Sequence, residues 1–125
     1  MKILVVDDMP SMRHVMMHML TNLGYKNPDE ASCGLQALKM LRLNNYDLLI
    51  TDLHMPNLNG EQLLSKVRGD KKLCNLPVLM VSSEDDKAKI VELIASEVTG
   101  FMVKPFNLST LKKQLHWIHS NRNIA

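Results

Sequence analysis

Four short, almost unbroken apolar runs each end in a polar or charged residue. Ile3-Leu4-Val5-Val6 runs into Asp7-Asp8, Leu48-Leu49-Ile50-Thr51 into Asp52, Val78-Leu79-Met80-Val81 into Ser82, and Phe101-Met102-Val103 into Lys104. Runs of this length without polar alternation are what parallel strands show when helices cover both faces of their sheet. Such sheets hold their ligands at the carboxyl ends of the strands. The sequence therefore predicts that three acids, a hydroxyl and an ammonium gather along one edge.

Between the runs the apolar spacing becomes helical. Pro10 suits a first helical turn, and Met12, Val15, Met16, Met19, Leu20 and Leu23 define one face of a helix that Gly24 stops. A weak segment around Asp29 to Ser32 is read as an edge strand. Leu35, Leu38, Met40, Leu41 and Leu43 mark a second helix, and Leu63, Leu64 and Val67 a short third one closed by Gly69 and Asp70. Ile90, Val91, Leu93, Ile94 and Val98 form the apolar side of a fourth, with Ser83 and Asp85-Asp86 as caps. Leu108, Leu111, Leu115 and Ile118 stripe a fifth, begun by Asn107 or Ser109. The order is (βα)5, an α/β domain over residues 1–125 with no linker, repeat or output domain. With 125 residues, 46% of them hydrophobic, the chain has material for one core and not two.

Composition excludes more than it names. A formal charge of +2, without a block of like charges, gives no nucleic-acid footprint and no acidic tail. Cys33 and Cys74 match no metal or disulfide spacing and are read as reduced thiols. Met1-Lys2 leads straight into the first strand, leaving no room for a secretory signal, and no apolar run approaches the roughly 18 residues of a membrane span. The expectation is a cytoplasmic protein without membrane insertion. Ten methionines are read as adaptable packing.

Three carboxylates at one sheet edge repel one another unless a cation joins them, and an all-oxygen set suits Mg²⁺. Asp52, on a central strand, can act as a carboxylate nucleophile toward a phosphoryl group and form an acyl phosphate. Lys104 supplies a cation and Ser82 a hydroxyl donor to the phosphoryl oxygens, which covers most of what phosphoryl transfer requires. Acids at strand ends are also common as solvated termini, but packing alone rarely assembles the full set.

These residues carry a resemblance that covers nearly the whole chain. Val5-Val6-Asp7-Asp8, Asp52-Leu53-His54-Met55-Pro56 with Gly60, Pro77 through Ser82, and Gly100-Phe101-Met102-Val103-Lys104-Pro105-Phe106 together resemble the receiver domains of two-component response regulators, and most closely the single-domain members that serve chemotaxis. The resemblance implies a flavodoxin-like, doubly wound parallel sheet with strand order 2-1-3-4-5. It implies Asp52 as phosphoacceptor, Mg²⁺ held directly by Asp8, Asp52 and the backbone carbonyl of His54, and Asp7 acting through water. It further implies Ser82 and Lys104 as phosphoryl-binding groups, a cis Lys104-Pro105 bond, and Ser82 with Phe101 as a hydroxyl and aromatic switch pair. His54 and Glu84 fall where family side chains bracket the phosphoryl group and tune acyl phosphate lifetime; the plain alternative is that both are solvated.

The implied partners are a histidine kinase or phosphotransfer domain upstream and a downstream protein such as a flagellar motor switch component, met by a monomer in chemotaxis or a phosphorelay. Phe101 and Trp117 are candidates for the partner surface, Trp117 because it falls off the apolar stripe of the last helix. The implied role is a signalling switch that takes part in its own aspartyl phosphorylation and dephosphorylation, not an enzyme acting on other substrates.

Departures from the family pattern are Ser82 where threonine is frequent, Asn59 where aspartate is frequent, and Glu97-Val98 where Gly-Ala is frequent. His14 with His18 and His116 with His119 have metal-ligand spacing, though solvated histidines explain them as well. Met17 lies off the first helix's core face. Two other functions compete. A phosphotransferase of the haloacid dehalogenase type normally needs Asp-x-Asp, which Asp52-Leu53-His54 lacks, and a phosphorylation-independent binding module has no use for the complete acid set. Against a third, a nucleotide or flavin binder on the same fold, the first strand leads into Asp7-Asp8-Met9-Pro10 rather than a glycine-rich loop.

Overall fold

A computed structural model describes residues 1–83 and 87–122. Five strands, β1 (Ile3–Val6), β2 (Asp29–Ala31), β3 (Leu48–Asp52), β4 (Val78–Ser82) and β5 (Gly100–Val103), alternate with five helices, α1 (Pro10–Asn22), α2 (Gly34–Leu43), α3 (Gly60–Gly69), α4 (Lys87–Ala95) and α5 (Leu108–Arg122). All pairings are parallel, in the order β2-β1-β3-β4-β5. The predicted edge strand forms at β2, where its shortness limits the exposed backbone edge. Tyr46 Oη donates to Asp29 Oδ2 at 2.7 Å and fastens that edge to the turn before β3.

Alternate residues of the strands feed two separate cores, as the two-residue period of a strand requires. Leu4, Val6, Leu49, Val78 and Met80 pack with α2, α3 and Leu93 of α4. Ile3, Val5, Leu48, Ile50, Leu79 and Val81 pack with α1 and α5 on the other face. Burial on both sides explains why the strand runs lack polar alternation.

Local chemistry sets the helix ends. Pro10 opens α1, and Gly24 follows its end at φ +95°, a left-handed conformation that glycine adopts without strain. Asn59 and Gln62 form a reciprocal capping box at α3, so the asparagine that departs from the family pattern supplies the cap. Asn107 Oδ1 accepts from the Thr110 amide at 2.9 Å at the start of α5. The caps read at Asp85 and Asp86 lie outside the described residues.

Several helix-face expectations are corrected. Val15 of α1 and Leu35 and Leu43 of α2 are exposed, whereas Met17, like Tyr25, packs against the core between the sheet and α1 and α5. In α4 only Leu93 is buried, and Val91 and Ile94 are each 63% exposed. The common reason is geometric: each helix lies on a sheet already covered by a neighbouring helix, so the buried stripe is narrower than the apolar one.

Candidate functional site

The carboxyl ends of β1, β3, β4 and β5 bring the predicted groups together. Asp7 directly follows β1, Asp52 and Ser82 end β3 and β4, and Lys104 directly follows β5. Asp7, Asp52 and Ser82 are buried, with Asp52 only 9% exposed, while Asp8 faces solvent. One carboxylate oxygen from each of Asp7, Asp8 and Asp52 lies within 4.8 Å of the others. Lys104 Nζ stands 3.0 Å from Asp52 Oδ1 and 3.5 Å from Asp7 Oδ2, so one ammonium bridges two acids.

Backbone bonds hold these positions. The Asp7 amide donates to the Ala31 carbonyl at 3.3 Å and the Met9 amide donates to Asp7 Oδ1 at 2.9 Å. The Leu53 amide donates to the Val81 carbonyl at 2.8 Å, extending the β3–β4 pairing past Asp52. The loop after Asp52 then folds back until the Gly60 amide reaches the Leu53 carbonyl at 2.9 Å. A side chain at position 60 would collide with the Asp52 carbonyl and the Met80 sulfur, so this return requires glycine. On the far side the Lys104 amide donates to the Ser82 carbonyl at 2.7 Å, and the Lys104-Pro105 peptide is cis.

The electrostatics follow from burial. Burial raises the Asp52 carboxyl above its ordinary value, Lys104 opposes the rise, and the charges of Asp7 and Asp8 add to it. At Lys104 burial pulls downward, but the hydrogen bonds and charges of Asp52 and Asp7 outweigh it and the ammonium is raised. One ammonium against three clustered carboxylates leaves the edge negative. A compact, all-oxygen, negatively charged donor set of this kind fits a hard divalent cation such as Mg²⁺.

The remaining predicted residues stand at varied distances from this cluster. Phe101, in β5, is partly buried against the core between the sheet and α2, α3 and α4. His54 is exposed in the loop after β3. Trp117 is 50% exposed and shares a hollow of about 450 Å³ with Thr99, Phe101 and Gln114. Glu84 lies outside the described residues. Neither histidine pair joins a group of three potential metal ligands among the described residues; His14 Nε2 instead lies 3.8 Å from Glu30 Oε1.

Two arginines escaped the sequence reading. Arg13 Nη1 donates to the Asp7 carbonyl at 2.8 Å while its Nε donates to Glu30 Oε1 at 2.6 Å, which ties α1 and β2 to the end of β1. Arg68 clamps backbone carbonyls behind the sheet. Neither belongs to a local motif, since their partners are brought near only by the fold.

Comparison with known proteins agrees with this geometry. Residues 3–116 match the response regulator receiver domain. The chain is 44% identical to the chemotaxis protein CheY-3 of Vibrio cholerae over 92% of its own length and 88% of that protein. It is 43% identical to the chemotaxis protein CheY of Pseudomonas aeruginosa over 98% of its own length and 99% of that protein. Among solved structures, chemotaxis protein CheY4 of Vibrio cholerae superposes with a TM-score of 0.87 at 35% identity, covering 94% of this chain and 97% of that one. Receivers are signalling switches that bind Mg²⁺ at an acidic pocket, and an acid trio at the carboxyl edge of a 2-1-3-4-5 sheet is what this chain builds. The chain therefore belongs to the response regulator receiver family, as a CheY-like member.

Proposed function

We propose that this chain is a phosphorylation-controlled switch in which Asp52 accepts a phosphoryl group from a histidine kinase or phosphotransfer domain. The observation that carries the reading is the placement of Asp52: a buried carboxylate, 3.0 Å from Lys104, inside a trio of acids. An Asp52 carboxylate oxygen attacks phosphorus as the bond to the donor's imidazole nitrogen breaks, leaving an acyl phosphate. Water later attacks phosphorus, releases inorganic phosphate and restores the carboxylate. Asp8, Asp52 and the His54 carbonyl, with Asp7 through water, would hold Mg²⁺, which would supply positive charge to the phosphoryl oxygens. Lys104 pairs with one of those oxygens and the Ser82 hydroxyl donates to another. His54 and Glu84 set how easily water reaches the phosphorus.

Drawing Ser82 toward the phosphoryl group vacates space into which the Phe101 ring turns, altering the face formed by α4, β5 and α5. Hydrogen bonds to charged groups contribute about 1.5–3 kcal/mol each. Reversing a 1:99 equilibrium needs about 5.5 kcal/mol. Two such bonds barely reach that value, so the shift is partial until a partner binds the altered face. The partner reads that face at Phe101 and Trp117, and the CheY-named relatives, both described as chemotaxis proteins, favour a flagellar motor switch component. In this reading the receiver acts in the cytoplasm and signals through what its altered face binds.

Intact mass and Trp117 fluorescence with Mg²⁺ and acetyl phosphate test this, comparing the native chain with Asp52→Asn. The expected result is a Mg²⁺-dependent, hydrolysable gain of one phosphoryl group, absent from the variant, with a matching emission change. An unmodified native chain in both acetyl phosphate and a phosphorylated kinase mixture would leave a phosphorylation-independent binding module instead.

A further inference from the structure

The two helices on one face of the sheet share a charge pattern that overall composition hides. From Met9 to Pro28 and from Val98 to Ala125 the chain contains no Asp or Glu, yet Arg13, Lys26, Lys104, Lys112, Lys113 and Arg122 fall in these stretches. The first stretch contains α1 and the second contains β5 and α5. Arg13 and Lys104 are paired with Glu30 and with Asp52 and Asp7, so the basic charge that bears on a groove in this layer is the Lys112-Lys113 pair on α5.

That layer also carries a groove. Between the end of α1 and the outer side of α5 lies a hollow of about 650 Å³, within the range of small-ligand and side-chain pockets. Leu23 and Tyr25 form one wall, and Lys112, Lys113, His116 and Trp117 line the other. Leu23, Tyr25 and Trp117 supply its apolar lining, and the charged residues stand along α5 among Ser109, His119 and Ser120. Trp117 and Lys113 also border the hollow beside Phe101, so the groove continues around α5 from the face read in the proposed switch.

We propose that this groove docks an acidic polypeptide segment bearing one bulky apolar side chain. The apolar residue inserts against Leu23, Tyr25 and Trp117, since a rigid aromatic beside a concave apolar wall is the usual anchor of a protein interface. Flanking carboxylates meet Lys112 and Lys113, where charge selects the partner and speeds its approach. Nucleic acid fits less well, because recognition of a phosphate backbone needs a long basic stripe and this one is interrupted by apolar wall. Asp52 lies at the carboxyl edge of the sheet, outside the lining of the groove, which shares only Lys113 and Trp117 with the hollow beside Phe101; docking is therefore tested in the unphosphorylated chain, apart from the phosphorylation reading.

Trp117 is the sole tryptophan, and its emission reports occupancy directly. The probe is a synthetic peptide with a central Leu-Phe pair flanked by glutamates, titrated into the native chain and into Asp52→Asn without Mg²⁺ or phosphate donor. The expected result is saturable quenching or shift in both, weakened about tenfold by Lys112→Gln with Lys113→Gln and by raising salt toward 1 M. A glutamine version of the peptide should not bind. Charge reversal, Lys112→Glu with Lys113→Glu, should lose the glutamate peptide and gain its lysine counterpart. Absence of a saturable response, equal binding of the glutamine version, or no effect of the lysine substitutions would each overturn the proposal. Tighter binding of short single-stranded DNA would overturn it in favour of a general polyanion surface.

Discussion

At Asp52 burial and charge act on the same carboxylate. Burial is the largest influence and raises its pKa, Lys104 works against it, and Asp7 and Asp8 reinforce it. A native pKa above the unfolded value of about 3.8 means that the folded chain holds the proton more tightly. The stability this contributes is present below the unfolded value and is lost as pH rises through the native one, so at neutral pH the ionised carboxylate opposes folding. Asp52→Asn should therefore raise the urea midpoint in Mg²⁺-free buffer at pH 7, and the gain should shrink toward pH 4. A variant no more stable than the native chain at pH 7 would contradict this account. Added Mg²⁺ should narrow the gap by binding the native acids more tightly than the variant's. Tyr46 gives a second pH signature at the opposite end of the sheet. Burial, then the hydrogen bond to Asp29 and its charge, push the phenol up to about 12. Its contribution to stability is complete below the unfolded pKa of 10.0 and is lost between there and about 12. Phenolate absorbance should show a late-titrating tyrosine that Tyr46→Phe removes; a titration curve unchanged by the substitution would dismiss the Tyr46–Asp29 bond.

Among the elements, the join between α4 and β5 depends most on a distant side chain. Glu97 adopts φ +66°, a left-handed conformation that costs a residue with a Cβ about 1–2 kcal/mol. Arg68, from the last turn of α3, offsets this by donating from Nε to the Glu97 carbonyl at 2.9 Å and from Nη1 to the Leu76 carbonyl at 2.6 Å and the Cys74 carbonyl at 3.3 Å. Its Nη2 also reaches Thr99 Oγ1 at 3.3 Å, and that hydroxyl oxygen accepts from the Val78 amide at 2.9 Å. One guanidinium thus joins α3, the strand-leading segment before β4, and the turn into β5. Arg68→Ala should cost about 1–3 kcal/mol in all, chiefly at the part-buried Leu76 and Cys74 carbonyls, whereas Glu97→Gly should gain about 1 kcal/mol by relieving the backbone. Chemical denaturation of both variants checks the pair. An Arg68→Ala chain as stable as the native one would mean that water replaces the guanidinium at these carbonyls.

For the molecule as a whole, what was legible in the sequence depended on whether the signal was local. The strands and their terminal groups could be read because burial on both faces removes polar residues from Ile3–Val6 and Val78–Val81 and leaves the polar group at the strand end as the first interruption. Arg13 and Arg68 could not, because their partners are backbone carbonyls and side chains of remote elements. Helix faces were read too broadly: the spacing of Ile90, Val91, Leu93, Ile94 and Val98 predicts one apolar side of α4, but the helix ends at Ala95 and buries only Leu93. That misreading carries a physical consequence, since local opening is governed by how much apolar surface an element buries. The central strands β1, β3 and β4 are buried at every position, so their amides should exchange with solvent only through global unfolding. Helix α4, whose one buried side chain is Leu93 and whose Lys89 reaches Glu61 of α3 at 3.4 Å, should open at a much smaller free energy than the strands and exchange earliest of the helices. Native-state hydrogen exchange resolves these classes. If phosphorylation of Asp52 pulls Ser82 inward and turns Phe101, acetyl phosphate with Mg²⁺ should slow exchange in α4 and β5 while leaving α2 unchanged. Uniform protection across all helices, or slowing confined to the loops around Asp52, would show that the phosphoryl signal does not travel to α4 and would place the output of this receiver elsewhere on its surface.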